Sequence, residues 1–268
     1  MNGKYFFYKL DLGLSMTQVK INLGGIVPFS TIDWRGKASV VIFLRGCPFR
    51  CLYCQNHDLL EGDNYVEMQE IEEDINKNED FIDAIVISGG EPFMQPGAIE
   101  AIAEYAKTRS LFVGVQTNGF YPEVIESMLR KELIDKIFLD IKAPLSDKKL
   151  YAKLTKVPGV VERVKRTLGT CVRAKIELEV QTTVFKHLAG AEEVERIAKE
   201  LEEAGAAHCP YVIQQGRVEL VPGGEIKEED VFSHEELKEL AAIAYHAASL
   251  KEVRIRTREE GEEVIYII

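Results

Sequence analysis

The sequence has no apolar run long enough to cross a bilayer, which excludes a helical membrane span. It has no surplus of positive charge either: 33 Lys and Arg stand against 44 Asp and Glu, a net charge of -11. Gripping a phosphate backbone requires a basic stripe, so neither nucleic acid nor a membrane surface is expected as a partner. The acidity is spread over stretches such as 192–203 and 225–239, which read as solvated helix faces. A leader peptide is not expected, because the Phe6-Phe7-Tyr8 patch is broken at once by Lys9 and Asp11. No low-complexity tract, short repeat or linker divides the chain. Cysteine is scarce, five in 268 residues, and Cys171 and Cys209 stand alone. They read as small buried hydrophobes. The expectation is a cytoplasmic protein, in which clustered thiols bind metal in preference to forming disulfides.

The other three cysteines fall within Arg45-Gly46-Cys47-Pro48-Phe49-Arg50-Cys51-Leu52-Tyr53-Cys54, spaced C-x3-C-x2-C. They follow the apolar run 38–44, whose β-branched residues mark a buried strand. Three thiols at a strand's C-terminal end can ligate a metal cluster and leave one metal corner open. The competing reading is structural zinc, with His57 as fourth ligand at Cys54-x2-His57. Against it, structural zinc motifs pair two such elements across a longer loop, and no second pair exists here.

The rest of the chain repeats one grammar. A helix of about three turns is expected from Glu67. Strands are expected at 84–88, 111–116, 136–139, 175–184, 211–214 and 252–256, with a last apolar stretch at 263–267. Helices are expected at 97–108, 122–132, 147–154, 159–172, 191–204 and 234–248. Residues 1–15 carry little pattern and read as an appended strand or loose extension; 18–34 is Gly-rich and mixed. Strands alternating with helices imply parallel pairing and right-handed crossovers, in a barrel or an open doubly wound sheet. Either way the strand C-termini share the face that carries an active site. Special residues sit at those ends: the cysteines, Gly89-Gly90-Glu91-Pro92, Thr117-Asn118-Gly119, Asp140-Ile141-Lys142, Thr183 and Gln214.

Taken singly these have plain alternatives. Gly89-Gly90 before a proline is an ordinary tight turn into a helix. Thr117-Asn118-Gly119 is an ordinary turn and cap, and Asp140 with Lys142 can be a surface ion pair. His187, His208, His234 and His246 have no metal-ligand spacing and read as structural or exposed.

Together the motifs resemble the radical S-adenosylmethionine (SAM) superfamily. The resemblance rests on Cys47-x3-Cys51-x2-Cys54 with the aromatic Tyr53, followed by Gly-Gly-Glu-Pro at 89–92. Ser30 through Lys37 (Ser-x-x-Asp-Trp-x-Gly-Lys), Gln-Thr-Asn-Gly at 116–119, Asp-Ile-Lys-Ala-Pro at 140–144 and Thr-Thr-Val at 182–184 are similar to the glycyl-radical-enzyme activating enzymes. Within these, the nearest subgroup is the anaerobic ribonucleoside-triphosphate reductase activating proteins, kin of pyruvate formate-lyase activating enzyme. The likeness runs from about Ser30 to Arg256.

The resemblance implies a partial (β/α)6 TIM-like barrel, with 1–29 as an N-terminal extension, 30–268 as the barrel domain, and a C-terminal extension within it. It implies one [4Fe-4S] cluster on Cys47, Cys51 and Cys54, with SAM on the fourth iron. Tyr53, Gly89, Gly90, Glu91, Asn118, Asp140, Lys142 and Gln214 would bind SAM. Tyr53 would lie near the adenine, Gly90 and Glu91 at the amino group, and Asp140 and Lys142 at the ribose and carboxylate. It implies an oxidoreductase that cleaves SAM reductively and takes a hydrogen atom from a glycine of a partner glycyl radical enzyme. The electron would come from a low-potential donor such as ferredoxin or flavodoxin. The alternatives are a radical SAM reaction on a small molecule or another peptide, and a zinc-stabilised adaptor without activity. Two departures stand out. Gln116 replaces an acid that helps bind a monovalent cation in some relatives, and 55–88 lacks the cysteines of relatives with a second cluster.

Overall fold

The computed structural model describes residues 19–221, 223 and 226–268. The expectation for residues 1–15 lies outside the described residues. One ten-stranded sheet organises the rest. Its strands are β1 (Lys20–Ser30), β2 (Ser39–Leu44), β3 (Tyr65–Glu67), β4 (Ala84–Gly89), β5 (Phe112–Thr117), β6 (Lys136–Asp140), β7 (Glu177–Val184), β8 (Tyr211–Gln215), β9 (Glu252–Thr257) and β10 (Gly261–Ile267). The order across the sheet is β10-β9-β8-β7-β6-β5-β4-β2-β1-β3. From β2 to β9 every pairing is parallel. Six crossovers carry the helices α1 (Met68–Asn78), α2 (Pro96–Thr108), α3 (Pro122–Arg130), α4 (Lys148–Thr155), α5 (Val161–Ala174), α6 (Ala191–Glu203) and α7 (His234–Ala247). β10 and β3 end the sheet without meeting, so the barrel is partial. Among the described residues, no helix is long and apolar enough to cross a membrane.

The expected strands and helices are all present, with ends shifted by a residue or two. The stretch 18–34 holds a strand that composition did not disclose. β1 pairs antiparallel with β2, with register breaks between Leu23 and Gly25 and between Val27 and Ser30. Its glycines and those breaks erase the period-two alternation by which a strand is read. The expected division between residues 29 and 30 falls at the end of this strand. The apolar 263–267 stretch belongs to β10, which forms an antiparallel hairpin with β9.

The alternation of strand side chains divides the interior. One face of each central strand (Ile42 and Leu44, Ile85 and Ile87, Val113 and Val115, Ile137 and Leu139) packs against the helices in one continuous core. On the other face, Trp34 from the β1–β2 loop fills the lower barrel against Val41, Val86 and Phe138. A methyl at Gly114 would stand 2.9 Å from the rings of both Trp34 and Phe138, so the plug requires glycine there. Beside it Glu179 is buried in contact with Lys136 at 2.9 Å and Arg254 at 3.3 Å. Burial opposes its charge, yet Lys136 and Arg256 hold its carboxyl below the usual range. Above this layer the inward residues are Ser88, Gln116, Asp140, Gln181, Thr183 and Gln214, and they line a cavity.

Candidate active site

The cysteine loop leaves β2 and is held in place mainly through its backbone. Arg50 N–H and Leu52 N–H donate to the carbonyls of Thr155 and Leu154, satisfying acceptors that the end of α4 leaves free. The Arg50 guanidinium returns to the carbonyls of Cys47 and Phe49 at 2.7 and 2.9 Å. Gly90 N–H donates to Leu44 O and Glu91 N–H to Gly46 O, at 2.9 and 2.8 Å, so the turn after β4 lies directly on the loop. A Cβ at Gly89 would fall 2.1 Å from Leu44 O, and one at Gly90 would fall 2.3 Å from Gly46 O. The glycine pair is therefore a condition of this close approach. Asn56, which no motif marks, adds a bond from its amide to Gly89 O at 2.9 Å.

The cavity against this loop has a volume of about 830 Å³. Cys47, Cys51, Cys54, Tyr53, Gly89, Gly90, Asn118, Asp140, Lys142 and Gln214 all line it. Of the expected site residues only Glu91 is set behind the wall. It is fully buried, and its carboxylate accepts from Phe93 N–H at 3.1 Å, Thr117 Oγ1 at 2.8 Å and Asn118 N–H at 2.8 Å. Burial pushes its pKa up to about 7 against those donors. The carboxylate thus ties the turn after β4 to the turn after β5.

Burial also pushes the Cys47 thiol up to about 12 and Cys51 to about 11, and raises Cys54. Bare thiolates are disfavoured here, so ionised sulfurs need a cation. Tyr53 stacks obliquely near Phe185, with ring centroids 5.7 Å apart, and Lys142 Nζ lies 5.5 Å from its centroid. Lys142 pairs with Asp140 Oδ2. Burial works against the ammonium, but Asp140, Tyr53 and Cys51 hold its pKa well above the ordinary lysine value. Asp140 Oδ1 and the Tyr53 hydroxyl are buried without a hydrogen-bond partner, and both residues line the cavity. Buried polar atoms ordinarily find partners, so these two and the three free thiols fit a bound polar ligand and a metal centre.

A single tetrahedral zinc would bring its sulfurs about 3.8 Å apart on bonds of about 2.3 Å. Among the described residues, the one His, Cys, Asp or Glu set whose ligand atoms gather within 4.8 Å is His234, Glu260 and Glu263. The three cysteine sulfurs do not all gather within that distance, with or without His57. His57 instead lies 3.1 Å from Asp58. His234, at the start of α7, lies 2.6 Å from Glu263 on β10, a pairing that sequence spacing could not show.

Two lining residues, Ser88 and Arg256, are marked by no motif. Ser88 Oγ donates to Gln116 Oε1 at 2.6 Å, and Arg256 Nη1 donates to Gln214 Oε1 at 3.3 Å. Their signal lay in alternation, since each occupies an inward position of a strand that also carries a motif residue or its neighbour.

The chain's matches to known proteins agree with this geometry. The radical SAM superfamily profile matches residues 41–201. A provisionally named glycyl-radical enzyme activating enzyme of Methanocaldococcus jannaschii is 36% identical over 228 residues, covering 84% of this chain and 92% of that protein. The pyruvate formate-lyase 1-activating enzyme of Escherichia coli strain K12 is 30% identical over 121 residues, 42% of this chain and 48% of that one. In fold, a radical SAM methyltransferase from Sphaerobacter thermophilus superposes with a TM-score of 0.62 at 14% identity, over 83% of this chain and 67% of that one. The chain belongs to the radical SAM superfamily, among the glycyl-radical-enzyme activating enzymes, and is a radical SAM enzyme.

Proposed function

We propose that this enzyme generates the glycyl radical of a partner protein, an anaerobic ribonucleoside-triphosphate reductase, using a [4Fe-4S] cluster on Cys47, Cys51 and Cys54 together with SAM. The observation that carries the reading is the three free thiols lining one cavity together with polar strand ends. When bound, the cluster and SAM supply an electron and a 5′-deoxyadenosyl radical able to take a hydrogen atom. The protein's part is binding, orientation and exclusion of water.

Asp140 and Lys142 meet polar groups of SAM, because Asp140 keeps one carboxylate oxygen free and Lys142 stands beside it as a fixed cation. Tyr53 contributes its ring and its unpartnered hydroxyl to the same wall. Gly89 and Gly90 present main-chain groups at the cavity wall, seated against the cysteine loop so closely that a side chain would not fit between. Gln214 lines the same cavity. Electrons come from a low-potential carrier such as ferredoxin or flavodoxin. The choice of reductase rests on the nearest subgroup of the activating enzymes that the segments 30–37, 116–119, 140–144 and 182–184 resemble.

The test is anaerobic reconstitution, metal and sulfide analysis, and reduction with SAM in the presence of the reductase or of pyruvate formate-lyase. The reading expects four irons and four sulfides per chain and radical formation on the reductase. Zinc without sulfide would overturn the cluster, and radical formation on pyruvate formate-lyase alone would overturn the partner.

A further inference from the structure

Asn118 was expected to touch SAM. Its surroundings point it elsewhere. It is 7% exposed, and its backbone N–H and both side-chain polar atoms are engaged by protein groups. Its backbone N–H donates to Glu91 Oε2 at 2.8 Å. Its side-chain Oδ1 accepts from Phe120 N–H at 3.0 Å. That second bond fixes which end of the amide is oxygen, because a backbone N–H must meet an acceptor. The NH2 end is therefore turned toward Cys47, with Nδ2 3.6 Å from Sγ. Phe49 N–H also approaches this sulfur, at 3.4 Å. Cys47 is thus contacted by one backbone donor and one side-chain donor.

The anchor of this arrangement is rigid. Glu91 is fully buried and holds Thr117 Oγ1, Asn118 N–H and Phe93 N–H on one carboxylate. Its own N–H is bonded to Gly46 O, one residue from Cys47. Glu91 therefore fixes the donor, Asn118, relative to the acceptor, Cys47, through a path of four residues. Hydrogen bonds to ligating sulfurs withdraw charge from them and are among the levers that set a cluster's reduction potential.

We infer that Asn118 is a positioning residue for the metal centre: its amide N–H binds the Cys47 thiolate and raises the reduction potential of the cluster, with Glu91 holding it in register. This rests on the cluster assignment of the proposed function. The more reduced cluster carries more negative charge on sulfur, so the donor favours the reduced state and eases its formation by a weak electron donor.

The experiment is an EPR-monitored redox titration of the reconstituted holoenzyme without SAM, comparing wild type with Asn118→Asp and Asn118→Ala. Asn118→Asp keeps the oxygen that serves Phe120 N–H and replaces the donor by a carboxylate. Asn118→Ala removes the donor without adding charge. Both should retain iron and sulfide and show a lower midpoint potential, Asn118→Asp by more. A tenfold loss of reduced cluster at fixed potential corresponds to about 59 mV for this one-electron couple. Glu91→Gln, which leaves the amide in place but loosens its anchor, should shift the potential in the same direction by less. Should Asn118→Asp fail to take up iron, the Asn118→Ala and Glu91→Gln potentials decide. Full iron and sulfide with unchanged potentials would overturn the inference and leave the cluster assignment standing. Wild type without iron and sulfide would overturn both.

Discussion

Replacing Gly90 by alanine probes the contact on which the site depends. The added Cβ would stand 2.3 Å from Gly46 O, 2.8 Å from Gly46 C and 3.2 Å from Cys47 Cβ. None of these is the yielding end of a flexible side chain. The cysteine loop and the turn after β4 must separate, which stretches the bond from Glu91 N–H to Gly46 O, now 2.8 Å. Overpacking of this kind costs about 1–3 kcal/mol, and a weakened buried hydrogen bond adds about 1 kcal/mol. The expected destabilisation is therefore roughly 2–4 kcal/mol. Gly36→Ala is the control. Gly36, unlike Gly90, has positive φ, +80°, but its Cβ would meet nothing within 4 Å, so only backbone strain of about 1 kcal/mol applies. Urea unfolding of the two metal-free variants, followed by circular dichroism, measures the difference. Iron uptake on reconstitution then reports whether the loop still presents its sulfurs. If Gly90→Ala unfolded within about 0.5 kcal/mol of wild type and bound a full complement of iron, the argument from close approach would be wrong.

Other outcomes follow from the same geometry. Cys51→Ala should lose iron and reductive SAM cleavage together, measured by metal analysis and 5′-deoxyadenosine formation. Lys142→Ala should keep iron while weakening SAM binding, because the partly buried Asp140 carboxylate is left without its cation; calorimetry with SAM checks it, expecting a loss of roughly tenfold or more for a charge-assisted bond. In the metal-free protein, the raised pKa values of Cys47 and Cys51 mean little thiolate at either below pH 10. Alkylation of Cys51, with its pKa of about 11, should run roughly 100-fold slower at pH 8 than that of an ordinary cysteine and recover as pH rises towards that value. Peptide mass spectrometry resolves the sites. SAM binding should be insensitive to exchanging sodium for potassium, since Gln116 spends its oxygen on Ser88 and leaves an amide N–H2, which repels a cation.

Much of the fold was legible in the sequence because parallel βα units advertise themselves. The central strands read as apolar runs and the helices as amphipathic segments between Gly, Pro and Asn signals. β1 was not legible, because its irregular register broke the pattern on which strands are recognised. The cysteine cluster was legible because thiols at that spacing have few other uses, and the fold brings all three to one cavity. Polar residues of the inner wall were only partly so. Ser88 and Arg256 acquire meaning from neighbours on adjacent strands, and sequence distance hides those neighbours. Glu91 is the instructive case: its motif drew it to the site, while the fold turned its carboxylate inward to brace the site from behind. A carboxylate with three donors and no exposure positions other groups and has no surface left to offer a ligand.

The most direct test of the central claim follows the hydrogen atom. The reductase would be prepared with its glycines deuterated at the α-carbon, then incubated anaerobically with this enzyme, SAM and a reductant. The account predicts one deuterium in the 5′-deoxyadenosine, stoichiometric with a glycyl radical seen by EPR on the reductase. Cleavage of SAM to unlabelled 5′-deoxyadenosine, with no radical on the reductase, would contradict it.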